Sequence, residues 1–223
     1  MDGSMSTTSA IMHYYTSLPL FELLAVLTSV LYVVLAAKGS IWCWPAAIIS
    51  TILYTVIFFN VYLWMDSLLQ LYYLLMAVYG WFCWQQNTHS SSTLNKPLLY
   101  SQWSLRRHSI IILVLTLVSL ALGWLMANFT PTHFPYLDSA TTVFSVFATY
   151  LITQKVIENW LYFIVIDIIS IYLYIEKDLL PTAVLFGSFV IFAFYGYLQW
   201  RKHYKMQFRQ QHNDICTKSS IIN

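Results

Sequence analysis

Seven apolar stretches, each near the roughly 20 residues that carry an α-helix across a bilayer, follow one another along this chain. They cover residues 19–37, 42–63, 67–84, 109–127, 141–156, 160–175 and 181–200. In hydrocarbon every backbone polar group must find its partner inside the protein, so runs of this kind are predicted as transmembrane helices. The fifth is the least apolar because it carries Thr141, Thr142, Ser145 and Thr149. Hydroxyls are tolerated in a span where helices pack on one another or line a cavity. Composition agrees with a membrane class: only 9% of residues are charged and 18% are aromatic. A soluble domain carries about 25% charged residues, and Trp and Tyr collect at the two membrane interfaces. The formal charge of +2 is too small to suggest a nucleic-acid partner.

The predicted organisation is an N-terminal tail over 1–18, a first three-helix unit over 19–84, a polar loop over 85–108 and a helix over 109–127. A second three-helix unit over 137–200 and a basic tail over 201–223, expected to fray, complete the chain. The N-terminus lacks a basic region ahead of its first apolar run, so that run reads as a retained helix and not as a cleaved signal. With the loops assigned alternately to the two sides, one side holds ten of the eleven Lys and Arg residues, and the other holds only Lys177. Cytoplasmic loops are the Lys/Arg-rich ones. The N-terminus is therefore predicted outside and the C-terminus in the cytoplasm.

An offset of 116 residues aligns the chain with itself. Ser29-Val30 meets Ser145-Val146, Trp44 meets Trp160, and Ile48 and Ile52 meet Ile164 and Ile168. Ala77, Tyr79, Gly80 and Trp84 meet Ala193, Tyr195, Gly196 and Trp200. Matches at Trp and Gly are harder to reach by chance than matches at Leu. The offset spans an even number of helices, so the repeats are predicted to be parallel, with the fourth helix linking them. The predicted fold is all-α: seven transmembrane helices in two parallel three-helix bundles joined by a linker helix. Parallel repeats are a transporter architecture, with the substrate held between the halves near the midplane.

Ionisable groups inside a span cost about 2.5 kcal/mol or more and point to function. Asp167 lies mid-helix among Ile and Val residues. At 100° per residue Trp160, Phe163 and Asp167 share one face. Two rings and a carboxylate suit a flat cationic heteroaromatic ligand, through stacking, cation–π attraction and charge neutralisation. The alternative is that Asp167 bonds a Ser or Thr of a neighbouring helix and only orders the bundle. Thr51 is its repeat mate and stands beside Ser50; an asymmetric ligand would call for such a difference. Gln70 and Tyr73 share a face of the third helix, where Gln70 could equally make a helix–helix hydrogen bond. Trp44, mate of Trp160, and Asn159, which opens the sixth helix with Glu158, complete the candidate set. For Glu158 the expected role is helix capping with Lys155 as a partner. Glu22 is expected to reach the outer surface, and Asp66 and Asp178 to lie at interfaces.

Cys43, Cys83 and Cys216 are far apart and form no C-x-x-C pair, so they are expected to act as small apolar residues. The six histidines are expected in tails or loops. None lies within four residues of another, and no metal site is expected.

These features resemble the PnuC family of bacterial vitamin transporters. The resemblance runs from Leu20 to Trp200. It is carried by Phe58-Phe59 with Ser67-Leu68-Leu69-Gln70, by Tyr79-Gly80-Trp81-Phe82-Cys83-Trp84, and above all by Glu158-Asn159-Trp160-Leu161-Tyr162-Phe163-Ile164-Val165-Ile166-Asp167. The last is similar to W-x-x-W-x-x-x-N/D, with Phe163 in place of the second tryptophan. The resemblance implies a fold akin to the SWEET sugar transporters and assembly into homotrimers, with no cofactor. It implies facilitated diffusion of an unphosphorylated vitamin across the bacterial inner membrane, followed by trapping through a cytoplasmic kinase. Trp160, Phe163, Asp167 and Gln70 would line the pocket, and Ser50 stands where some members have an Asn that contacts sugar. The usual substrate is nicotinamide riboside; related members carry thiamine or riboflavin. Nicotinamide riboside and thiamine are both cations, so charge does not separate them, and the first is expected on family frequency.

Other classes fare worse. A rhodopsin-like photoreceptor needs a lysine in its last span, and residues 181–200 contain none. No H-E-x-x-H, G-x-S-x-G or P-loop is present, so neither a hydrolase nor a nucleotide-driven pump is expected. A seven-helix receptor would bind ligand without flux. Proton coupling through Asp167 is a variant of the transporter reading.

Overall fold

The computed structural model describes residues 7–60, 64–85, 99–130, 133–176 and 180–222, with side chains over 20–60, 67–85, 99–130, 133–176 and 182–210. The polar stretch 86–98, Lys96, Lys177, Asp178 and His89 lie outside the described residues, as do the side chains of His13, Asp66, His212, Cys216 and Lys218. Seven helices account for almost all of the described residues: α1 (Thr7–Ala37), α2 (Cys43–Asn60), α3 (Trp64–Gln85), α4 (Leu105–Phe129), α5 (Pro135–Thr153), α6 (Asn159–Glu176) and α7 (Leu180–Ile222). Six of these are long and apolar enough to cross a membrane: all but α5. The hydroxyl-rich α5 packs against α3, α4 and α6. Lipid-facing apolar side chains cover the rest, as on α4, where Ile110, Leu113, Leu117, Leu120 and Trp124 are all exposed.

The helices repeat with the 116-residue offset. α2 and α6 start in register under it, at Cys43 and Asn159. Their packing repeats as well. α1 packs on α2 and α2 on α3; α5 packs on α6 and α6 on α7. Across the repeats, α1 meets α7 and α3 meets α5, which are the same pair under the offset. α4 packs on α5.

The turns that end α1 and α5 are also copies. In the first, Gly39 N–H donates to Ala36 O (2.9 Å) and Ser40 N–H to Leu35 O (3.0 Å). In the second, Lys155 N–H donates to Ile152 O (3.1 Å) and Val156 N–H to Leu151 O (3.1 Å). This is a Schellman closure, which needs a left-handed residue. Gly39 supplies it at φ 69°, whereas Lys155 holds φ 51° with a full side chain. A non-glycine residue there costs about 1–3 kcal/mol and persists only where its surroundings hold it.

Helix ends depart from the hydropathy reading where helix and membrane span are different things. α4 begins at Leu105, so Arg106 and Arg107 form its first turn. α5 begins at Pro135, where a proline is tolerated, and ends at Thr153, which leaves Val156 in the buried turn. The segment after Trp200 does not fray. α7 continues through Arg, Lys, Gln and Met residues, all good helix formers, to Ile222. Residues 7–18 of the predicted N-terminal tail belong to α1.

Candidate functional site

The tryptophans shared by the two repeats meet at one end of the bundle. Trp44 and Trp84 cross edge-on at 5.2 Å and 86°, and their mates Trp160 and Trp200 at 5.4 Å and 87°. Trp84 and Trp200 join the two pairs at 6.0 Å. A Cβ on Gly80 would run into the Trp44 ring, and one on Gly196 into the Trp160 ring, at 2.6 Å from Cε2. The Tyr-Gly pairing in each half is therefore a seat for an indole. Each terminal tryptophan also ties its repeat to the other. Trp84 Nε1 donates to Thr153 O (3.1 Å) in the second, and Trp200 Nε1 to Ala36 O (2.9 Å) in the first. All four indoles are buried.

Trp160 and Trp44 differ from the other two in their polar atoms. Their Nε1 donors are buried without a hydrogen-bond partner among the described residues, as is Asn159 Oδ1. Buried donors and acceptors are nearly always paired, so an orphaned group asks for an explanation, such as a ligand or bound water. Asn159 is fully buried at the start of α6, and its Nδ2 donates to Val156 O. Phe163 and Ile164 pack on the tryptophan cluster. Asp167 is buried on the same helix, about 10 Å from Trp160 at 1.5 Å per residue. It has no hydrogen-bond or ion-pair partner among the described residues. The structure thus brings Trp44, Trp160, Phe163 and Asn159 together, with Asp167 deeper along α6.

The remaining candidates make different contacts. Ser50 Oγ donates to Ala25 O at 3.3 Å and ties α2 to α1. Thr51 turns its hydroxyl back to Ala47 O at 2.8 Å. Tyr73 is set against Ser145 of α5, beside Tyr72, whose hydroxyl donates to Val146 O at 3.0 Å. These two tyrosines join α3 to α5. Gln70 is half-buried one turn before Tyr73. Glu22 is exposed.

Two expectations about charged groups are corrected. His108 does not lie in a loop: it is buried in the first turn of α4, with Nδ1 at 3.0 Å from the Tyr162 hydroxyl and Nε2 at 3.9 Å from Glu158. Glu158 also accepts from Trp103 N–H at 3.4 Å. It therefore does not pair with Lys155, because the left-handed turn sends that side chain the other way. The Lys155 ammonium lies 4.6 Å over the Trp84 ring and 5.4 Å over the Tyr100 ring. Burial lowers the Lys155 pKa and raises that of Tyr100.

Tyr100, Lys155 and Trp84 were not among the sequence-derived candidates, and neither was Tyr32, which lies against Trp44 at 6.4 Å. The matched Trp84 and Trp200 were the available signal. Tyr100 precedes α4 and matches no tyrosine under the repeat offset. Among the described residues no group of three His, Cys, Asp or Glu side chains converges to hold a metal.

Residues 19–202 match the nicotinamide mononucleotide transporter family. The chain belongs to that family. It is a multi-pass membrane protein of a transporter family and not an enzyme. Among its relatives is the nicotinamide riboside transporter PnuC of Escherichia coli (strain K12), 24% identical over 80% of this chain and 84% of that one. The protein of the same name from Neisseria mucosa is 26% identical over 80% and 70%. The crystal structure of the vitamin B3 transporter PnuC has the same fold, with a TM-score of 0.69 and 22% identity over 88% of this chain and 87% of that one.

Proposed function

We propose that this protein takes up nicotinamide riboside, a cationic pyridinium nucleoside, by facilitated diffusion between two parallel three-helix bundles linked by α4. The carrying observation is the α6 face of Trp160, Phe163 and Asp167. Among the described residues the Trp160 indole N–H is buried without a partner, Asp167 is buried further along the helix, and Phe163 lies between them. A pyridinium ring between aromatic faces gains cation–π attraction of about 2 kcal/mol or more when desolvated. A carboxylate on the same face offsets the positive charge. Asn159 Oδ1 and the Trp44 indole offer further polar atoms for an amide or a ribose hydroxyl.

The offset that maps α1–α3 onto α5–α7, contacts included, supports the bundle arrangement with α5 as the seventh span. The distribution of Lys and Arg supports an inner-membrane topology with the N-terminus outside and the tryptophan cluster at the cytoplasmic end. The relatives named as nicotinamide riboside transporters support the substrate. Homotrimeric assembly and trapping by a cytoplasmic kinase rest on the family resemblance.

Titration calorimetry on purified protein with nicotinamide riboside and thiamine side by side tests the substrate. Binding of the riboside alone is expected; binding of thiamine alone reassigns the cargo, and binding of neither to folded protein removes both vitamins. Flux into proteoliposomes separates a carrier from a receptor, which would bind without transporting.

A further inference from the structure

Beyond the tryptophan cluster, away from Asp167, the bundle end is closed by a strap. Residues 99–104 lead into α4, and their backbone is clamped on two sides. Ser101 N–H donates to Lys155 O (3.1 Å), and Ile157 N–H donates to Ser101 O (3.0 Å). Gln207, on the extension of α7, accepts from Tyr100 N–H at 3.2 Å and donates to Tyr100 O at 3.4 Å. The Tyr100 ring crosses Trp200 at 5.2 Å and 65°. Its hydroxyl occupies the space that a Cβ on Gly39 would need. One strap thus touches the turn of the first repeat, the turn of the second and the extension of α7.

Lys155 is the residue that all these parts share. It sits on the second repeat, and its ammonium lies over Trp84 of the first and Tyr100 of the strap. It holds a left-handed backbone where the matched position is glycine. Among the described residues it has no carboxylate partner, since Glu158 is engaged by Trp103 and His108. A strained backbone and a half-buried cation without a counter-ion are both unfavourable, and the aromatic pair is what holds them in place. The aromatic faces that hold an ammonium are also the kind that attract an organic cation leaving the site.

We propose that Lys155 is the latch of the inner gate: its ammonium, held by Trp84 and Tyr100, keeps the two repeats and the strap together, and release of the cationic substrate requires it to leave that box. This rests on the transport reading above. The Lys155 ammonium lies over Trp84 and Tyr100 and not over the Trp160–Phe163–Asp167 face, so it is a positioning residue for gating and not part of the binding surface.

Cys43 supplies a native reporter. It is fully buried at the closed end, next to Trp44 and within electrostatic reach of Lys155. In a Cys83→Ser/Cys216→Ser background, the rate of maleimide labelling of Cys43 reads gate opening. Lys155→Met, which keeps the bulk and removes the charge, is expected to speed labelling about tenfold or more, and Lys155→Arg to stay within about twofold of the background. Riboside affinity is expected to stay within about threefold in both. Tyr100→Ala is expected to speed labelling as Lys155→Met does, whereas Tyr100→Phe, which keeps the ring, is not. This pair carries the test if Lys155→Met does not fold. Labelling of folded Lys155→Met at the background rate, equal acceleration by Met and Arg, or equal acceleration by Tyr100→Ala and Tyr100→Phe would each overturn the latch. Failure of the unmodified protein to bind the riboside would instead overturn the transport reading.

Discussion

The first repeat and the second build matching helices around the same tryptophans, yet their chemistry diverges at matched positions, four of them near the tryptophans or along α6. Gly39, Trp42, Cys43 and Thr51 in the first stand opposite Lys155, Glu158, Asn159 and Asp167 in the second. Trp42 is exposed and crosses Trp81 edge-on at 6.4 Å, as an aromatic anchor at a membrane interface does. Glu158, at the same place in the second repeat, faces His108 of α4 and Trp103 of the strap. The pairs that match are those that set shape: indoles in glycine seats and helix-ending turns. Three of these four differing pairs place a charged side chain in the second repeat: Lys155, Glu158 and Asp167. Pseudosymmetry can provide two bundles that move against each other, but it cannot by itself recognise a ligand with a cationic ring at one end and a sugar at the other. On the proposed function, that discrimination would fall to the second repeat.

The sharpest way to break this comparison is to remove the same side chain from each half. Trp160→Ala is expected to lower riboside affinity about a hundredfold or more, through loss of a desolvated cation–π face and of an N–H donor. Trp44→Ala is expected to lower it about tenfold or less, because its helix presents Thr51 where α6 presents Asp167. Calorimetry on both variants, with thermal unfolding to confirm folding, reads the difference. Equal losses would mean that the site lies evenly between the repeats.

Asp167 carries the next largest effect. Asp167→Asn is expected to weaken the cationic riboside about tenfold and its neutral, reduced analogue about twofold or less, as expected for a charge within reach of the ring. Equal losses would show that the carboxylate acts through shape alone. The exchange Thr51→Asp/Asp167→Thr sharpens the point. Restored affinity for the cation would mean the site accepts charge from either half, whereas continued loss would fix the ligand against α6.

A smaller effect separates the turns. Gly39→Lys makes the first repeat copy the second and is expected to destabilise the fold by about 1–3 kcal/mol, because a side chain enters a left-handed position already filled by the Tyr100 hydroxyl. A lowered unfolding temperature in detergent is the readout. No change would mean that the strap yields easily, and would weaken the case for a latch.

Much of this was legible in the sequence for a simple reason. Lipid asks for long apolar runs, and an internal repeat can be read by sliding the chain on itself. α2 and α6 start 116 residues apart because the same kind of turn, with Gly39 or Lys155 at its left-handed position, precedes each of them. The facial match of Trp160, Phe163 and Asp167 needed only helical spacing. Tyr100 was not legible, because a tyrosine in an irregular segment carries no periodic signal and is placed by distant contacts, such as the one to Gln207, 107 positions away. Lys155 misled for a related reason. Three residues from Glu158 it reads as a nearby partner for that carboxylate, but the turn between α5 and α6 separates their side chains. The extension of α7 was hidden because hydropathy measures the membrane and not the helix.

Ser50 gives the smallest expected effect and bears on where the sugar is held. Its hydroxyl makes a long bond, 3.3 Å, to Ala25 O, and it faces α1 instead of the tryptophan cluster. Interhelical hydrogen bonds in membranes average about 0.6 kcal/mol, so Ser50→Ala should lower stability by no more than that. Riboside affinity should change by less than about twofold, because a tie between α1 and α2 contributes to the scaffold and not to recognition. A tenfold loss would show that Ser50 leaves α1 to meet the ribose when substrate is bound. The first repeat would then supply hydroxyls as the second supplies charge, and the division between a scaffold half and a recognition half would have to give way to two halves that read opposite ends of one ligand.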